Sequence, residues 1–161
     1  MPDPSPPAAI PTMTIAAGLD QLAAVRAFVR AHAGAGGADE EATADLVQAV
    51  DELVCNVVEH GYAGHPGAIE IAFLETAETV GFRIRDAAPP FDPRTVPEPP
   101  LDLPLERRRL GGMGVHLARA LTDALDHRIL PTGGNEVTVR KRRRASTGEA
   151  SDGHHDRSTG P

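Results

Sequence analysis

Residues 51–62 read DELVCNVVEHGY, and the placement of this stretch decides the fold. Turned at 100° per residue as the end of a longer helix, it sorts by face. Leu46, Val50, Leu53 and Val57 fall on one side, and Asp45, Gln48, Glu52, Asn56 and Glu59 on the other. Asp39 is suited to cap the start, and Gly61 stands as a stop just beyond His60, so the helix is expected to run to about His60. Glu52 and Asn56 are four residues apart and so are neighbours on its surface. Two readings of the polar stripe stay open: an ordinary solvated face, or a site. In the second, Asn56 offers an uncharged oxygen suited to a hard cation such as Mg²⁺. Glu52 offers a carboxylate able to orient or deprotonate a hydroxyl. An Asn in the middle of an Ala/Val-rich helix, where it is a mediocre helix former, weakens the first.

Outward from this helix the elements alternate in type. Residues 10–16 read as a first strand, and 19–32 as a helix carrying Leu22, Val25, Phe28 and Val29 at helical spacing. The Gly-rich stretch 34–37 ends that helix. Ile69, Ile71 and Phe73 line one face of a strand over 68–74, and Val80, Phe82 and Ile84 do the same over 79–85. Residues 87–110 lose all periodicity and hold seven prolines, which marks a long lid-like or binding loop. A third helix is expected over 115–125, then strands near 126–130 and 136–142 about a turn at Gly133-Gly134. The sum is an α/β (α+β) two-layer sandwich, with three helices on one face of a mostly antiparallel mixed sheet. Residues 1–9, with four prolines, and 145–161, with no Val, Ile, Leu, Phe or Met, read as tails around one folded domain over 10–144.

Two further features carry chemistry. Asp86 shares the parity of Val80, Phe82 and Ile84, so it points to the core side at the end of its strand, where a carboxylate must find donors. Its partner is either an arginine or backbone N–H group, or an exocyclic amine such as N6 of adenine, since a carboxylate only accepts. The second feature is LGGMGV, residues 110–115, ahead of an apolar helix. It is either a plain glycine loop or a phosphate cradle whose N–H groups and helix field hold an anion. It is neither a P-loop nor a dinucleotide fingerprint, because no Gly-Lys-Ser/Thr follows and no strand leads into it.

Composition narrows the partners. Sixteen Lys and Arg against 23 Asp and Glu give a net charge of -7, which argues against polymeric nucleic acid. Four Phe, one Tyr and no Trp leave no stacking platform for single strands. A single cysteine, Cys55, excludes an internal disulfide framework and a multi-cysteine zinc site. No apolar run approaches the roughly 20 residues of a membrane span, and the Pro-rich start lacks the pattern of a secretory signal. The expectation is a cytoplasmic protein without a membrane partner.

Taken in order, DELVCNVVEHGY, residues 86–93 ending in Pro90-Phe91-Asp92-Pro93, and GGMGVHLARALTD over 111–123 resemble the motifs of the GHKL (Bergerat-fold) ATPase superfamily. Within it the chain looks most like the stand-alone anti-sigma-factor serine/threonine kinases, and the likeness continues into GGNEVTVRK. The resemblance implies ATP and Mg²⁺ as cofactors, Glu52 as the base for the attacking group, Asn56 as a Mg²⁺ ligand, and Asp86 as the holder of the adenine amine. It implies further nucleotide contacts from His60, Ala88, Arg109, Gly112, Met113, Gly114, Val115, His116 and Asn135, with 92–110 as the ATP lid. It also implies a partner switch, in which the protein phosphorylates an antagonist protein and sequesters a sigma factor, and a homodimer is compatible with it. Two alternatives stand beside this: an ATP-binding switch module without kinase activity, and a detached histidine-kinase catalytic domain.

The sequence departs from the family pattern at three places. Ala88 replaces the glycine of Asp-x-Gly, which places a methyl near the expected adenine; Asn135 follows Gly134 where some members have Thr; and Leu110 stands where some kinases have Arg. His60, His65, His116 and His127 read as local structure rather than a phosphorelay.

Overall fold

The computed structural model describes residues 7–97 and 113–143, with Met113 described by its backbone alone. The tails expected at 1–9 and 145–161 therefore lie almost wholly outside the described residues, as do Arg109, Gly112 and most of the long loop.

Five strands and three helices follow one another in the expected order. β1 is Thr12–Ala16; one tight turn, Leu19–Gln21, leads into α1, Leu22–Ala35; α2 is Glu40–Asn56. β2 is Ala68–Glu75, β3 is Thr79–Asp86, α3 is Met113–Leu121, β4 is Ala124–Ile129 and β5 is Asn135–Arg142. The sheet order is β1-β2-β3-β5-β4, and all four pairings are antiparallel.

Alternation along the strands creates the core. Ile69, Ile71 and Phe73 on β2, Val80, Phe82 and Ile84 on β3, and Val137 and Val139 on β5 share one face and are buried. Against them lie Val25 and Val29 from α1 and Leu46, Val50, Leu53 and Val54 from α2, so each apolar stripe finds a partner. Fully burying one such side chain contributes roughly 1.5–3 kcal/mol, which is why the helices lie flat on one side of the sheet. The opposite face is polar: Glu136 accepts from Arg85 Nε at 2.6 Å and from Arg128 Nε at 2.6 Å.

Asp39 caps α2 as expected, its carboxylate accepting from Ala42 N at 2.8 Å. The far end differs from the expectation. The helix does not stop at Gly61 but runs on in wide π-type turns through Val57–Tyr62, and turns out at Ala63 (φ 50°) and Gly64 (φ 86°). Tyr62 explains the extra turn. Its hydroxyl donates to Ala68 O at 2.7 Å and accepts from Ala87 N at 2.8 Å, while its ring covers Gly67, where no side chain would fit. Those bonds form only if the helix carries Tyr62 to the ends of β2 and β3.

α3 is shorter than its apolar pattern suggested. It ends at Leu121, and Ala124 and Leu125 belong to β4, opposite Arg140 and Val139. Lys141 ends the helix: its ammonium donates to Leu121 O at 3.0 Å and to Asp45 Oδ2 at 2.7 Å. Neither Lys141 nor Asp45 is therefore a simply solvated group. The expected turn between the last strands is present, with Gly133 and Gly134 at φ 79° and 95°. Only glycine fits at 134, because a side chain there would run into the backbone of Asp86 and Ala87.

Candidate functional site

The fold leaves a cavity of about 240 Å³ between the end of α2 and the middle of the sheet. Leu53, Val57 and Gly61 wall it on the helix side, Ile84 and Val137 on the sheet side, and Pro89, Pro90, Phe91 and Pro93 on the loop side. Asp86 and Asn135 are its polar floor, while Asn56 and His60 stand at its edge. A smaller hollow adjoins it, lined by Glu52, Cys55, Asn56, Glu59, His60, Gly114 and Val115. Asn56 and His60 line both, so they mark the passage from the apolar cavity to the carboxylate-bearing hollow.

Asp86 is 6% exposed. Ala88 N donates to its Oδ1 at 2.9 Å and Asn135 Nδ2 donates to the same oxygen at 3.0 Å. Both bonds fall on Oδ1, and Oδ2 accepts from no protein donor among the described residues. Burial pushes the carboxyl above its ordinary value, against the hydrogen bonds from Asn135 and Ala88 and the nearby His127. A half-satisfied acceptor at the floor of an apolar cavity suits a flat ligand that donates from one edge. No arginine is bonded to Asp86 among the described residues; the backbone N–H pairing expected as the alternative is present at Oδ1, through Ala88 N, and leaves Oδ2 to the cavity.

The methyl of Ala88 is buried and turns towards Gly61, where an added side chain would come within 3.0 Å of it. Gly61, expected as a helix stop, instead makes room for Ala88.

Asn135 is 5% exposed and its amide is fully engaged. Phe91 N donates to its Oδ1 at 2.8 Å, His127 Nε2 lies 3.1 Å from the same oxygen, and Nδ2 reaches Pro89 O at 3.2 Å as well as Asp86. The amide orientation follows from the partners, since Phe91 N–H can only donate and an ionised Asp86 can only accept. His127 Nε2 is thereby the donor in its bond, and its Nδ1 lies 3.7 Å from Asp92 Oδ1. Asn135 was expected to touch the nucleotide. It lines the cavity, while its polar atoms bond to the protein.

In the smaller hollow, Glu52 Oε1 accepts from Gln48 Nε2 at 2.7 Å, one turn back along α2. Its other oxygen lies against Gly114, and a Cβ at that position would overlap it. The second residue of α3 and the carboxylate of α2 are thus in contact, which also brings the first N–H groups of α3 to this hollow. Burial and the surrounding Asp51, Glu52 and Glu59 push the Cys55 thiol up to about 11, so it stays protonated and is no nucleophile. Val115 lines the hollow, whereas His116 lines neither cavity. No group of three His, Cys, Asp or Glu side chains able to hold a metal occurs among the described residues. Asn56, Glu52 and Glu59 line this hollow, so the donors nearest it are oxygens, the type that Mg²⁺ takes.

Three contributors were not picked out from the sequence. Tyr62 is one, and its signal in the sequence is a lone tyrosine beside the helix end. Gln48 was placed on the polar stripe without its bond to Glu52. The backbone of Pro89 and Phe91 leaves no mark in a residue pattern.

An antiparallel five-stranded sheet with its helices on one side, and a cavity opening between the central helix and the middle strands, is the arrangement of the GHKL-type ATPases. The chain belongs to the histidine kinase-like ATPase domain family, whose model matches residues 15–141. Membership implies ATP as a ligand and supports a kinase or ATPase activity. The chain is also similar to the serine/threonine-protein kinase BtrW of Bordetella bronchiseptica. The two are 33% identical over 95 residues, which cover 58% of this chain and 66% of that protein. Among the described residues no helix is long and apolar enough to cross a membrane.

Proposed function

We propose that this protein is an ATP-dependent serine kinase that phosphorylates an antagonist protein and, in its other state, sequesters a sigma factor. The observation that carries the reading is the adjoining pair of cavities. One has a buried, half-satisfied acceptor for the adenine amine, and the other sets a carboxylate against the start of a helix.

Each residue then has a task. Asp86 Oδ2 accepts from the exocyclic amine, while Leu53, Val57, Ile84 and Val137 cover the ring. Asn56 would hold Mg²⁺, which would neutralise phosphate charge when bound. The first N–H groups of α3 face the phosphates, and Gly112 and Arg109, which lie outside the described residues, would add to phosphate binding. Glu52 accepts the proton of the partner's serine hydroxyl as that oxygen bonds to the γ-phosphorus. The bond from phosphorus to the bridging oxygen breaks, and ADP leaves. Positioning and charge neutralisation supply most of the acceleration. The relative named as a serine/threonine-protein kinase supports the choice of acceptor. The domain over 10–144 would act in the cytoplasm, as a homodimer.

The test is transfer of label from ATP to serine of the antagonist in the presence of Mg²⁺. Glu52→Ala is expected to lower the rate by about 10²–10⁴-fold while ATP affinity holds. Tight complex formation without transfer by the unaltered protein would instead establish a binding switch without kinase activity.

A further inference from the structure

The floor of the larger cavity is held by a side chain whose polar atoms are all spent on the protein. Asn135 sits opposite Asp86 in the β3–β5 register and is saturated. Two donor hydrogens go to Asp86 Oδ1 and Pro89 O, and one acceptor takes Phe91 N–H and His127 Nε2–H. An acceptor-only carboxylate stands on one side and a donor-only backbone N–H on the other. A bridge between them must donate from one end and accept at the other, within one rigid group. A carboxamide does both. A threonine hydroxyl is one atom and cannot span both partners.

We infer that Asn135 is a positioning residue with two arms. Its nitrogen occupies Asp86 Oδ1 and so reserves Oδ2 for the base, and its oxygen ties that floor to Phe91, at the root of the long loop. The inference rests on the adenine-nucleotide reading of the cavity and adds to it a coupling. Whatever engages Asp86 tightens Asn135, and Asn135 holds the loop backbone from Pro89 to Phe91. His127, whose side chain is 4% exposed, continues the same line to Asp92, just before the short turn Pro93–Thr95.

The two arms separate by substitution. Asn135→Asp keeps the shape and the acceptor for Phe91 but replaces the donor with an oxygen facing Asp86 Oδ1. Asn135→Ala removes both arms. The other ionisable groups about the floor are His60 from the helix end, Tyr62 at Ala87, His127 from β4 and Asp92 beyond it. They are common to all variants; Asn135→Asp adds one carboxyl, so a displaced limb in that variant belongs to Asp86 coupled to the new carboxyl.

The experiment measures affinity for Mg·ATP and for Mg·tripolyphosphate, which lacks the base, across pH 5–8, and follows exchange of the Phe91 amide proton. In the unaltered protein, ATP slows Phe91 exchange and tripolyphosphate does not. This arm needs no variant. In Asn135→Asp, ATP affinity falls at least about 10-fold and its acid limb moves to higher pH, because two carboxylates cannot both ionise at this separation. Tripolyphosphate affinity and Phe91 protection persist there. In Asn135→Ala, ATP affinity falls and Phe91 exchange speeds up by at least about 10-fold, a hydrogen-bonded amide having become open. Equal losses for ATP and tripolyphosphate with no displaced limb, or Phe91 exchange indifferent to ATP in the unaltered protein, would overturn the coupling. Failure of the unaltered protein to bind ATP at all would instead overturn the reading beneath it.

Discussion

Gly114→Ala should separate stability from catalysis by leaving the first nearly unchanged while lowering the second. Gly114 is the second residue of α3, and its backbone is not in the left-handed region. On propensity alone, alanine there is worth about 0.5–1 kcal/mol to the helix. The new methyl, however, would overlap Glu52 Oε2 and sit 3.3 Å from the carboxyl carbon. The carboxylate is the free end of a half-buried side chain, so it yields rather than the backbone. Regaining van der Waals separation takes a swing of about 1 Å, away from the start of α3. That swing also strains the 2.7 Å bond from Gln48, whose net worth is about 1 kcal/mol. The two stability terms nearly cancel. Displacement of a reacting group by about 1 Å costs on the order of 10²-fold in rate. The expected result is therefore a urea midpoint within about 0.5 M of the unaltered protein and a phosphotransfer rate lowered about 100-fold. The ATP base contacts, on the other side of Asn56, are untouched, so the loss should fall on kcat. A fully active Gly114→Ala protein would show that Glu52 does not act from the position it holds beside α3.

Tyr62→Phe removes both bonds that tie the helix end to Ala68 and Ala87, at about 1 kcal/mol each, and should lower the urea midpoint by roughly 1 M; an unchanged midpoint would mean the hydroxyl is dispensable. Lys141→Met leaves Asp45 without its cation and Leu121 O without its donor, and calorimetry should show a loss of about 1–2 kcal/mol that shrinks in salt. The Arg94 hydrogen bonds hold the Asp92 carboxyl down from 3.8 to about 2. Its folded-state value is depressed, so its contribution is present above pH 3.8 and is lost as the pH falls towards about 2. Asp92→Asn should then flatten the stability curve across that window, weakly, because Arg94 is half exposed and water screens the pair. Identical slopes for the two proteins below pH 3.8 would contradict the pairing.

Elements whose residues see one dominant environment were legible in the sequence. β2 and β3 alternate cleanly because one face meets the helices, and α2 carries its apolar and polar stripes for the same reason. Where two demands compete, the pattern misled. Gly61 looked like a helix stop because glycine favours that role. The helix runs past it because Tyr62 gains two hydrogen bonds by doing so, and Gly61 is small because Ala88 packs there. Leu125 continues the apolar spacing of α3 but pairs with Val139, since the donor from Lys141 ends the helix at Leu121. Asp86 was legible by parity alone. Asn135 was legible as a position but not as a role, because its partners include the backbone of Phe91, which no residue type announces.

The two ends of the site rest on different supports, and this decides how they can fail. The base end is built from strands: Asp86 and Asn135 are cross-strand neighbours, held by a ladder that continues through Ile84 and Val137. The reactive end is built from the facing of α2 and α3, with Gly114 set against Glu52 at the helix start. A change that shifts α3 by a small amount would thus spoil proton acceptance while leaving the base pocket intact, and a change at Asn135 would do the reverse. The proposed kinase and the non-catalytic switch therefore differ by a displacement at one helix contact rather than by a different fold.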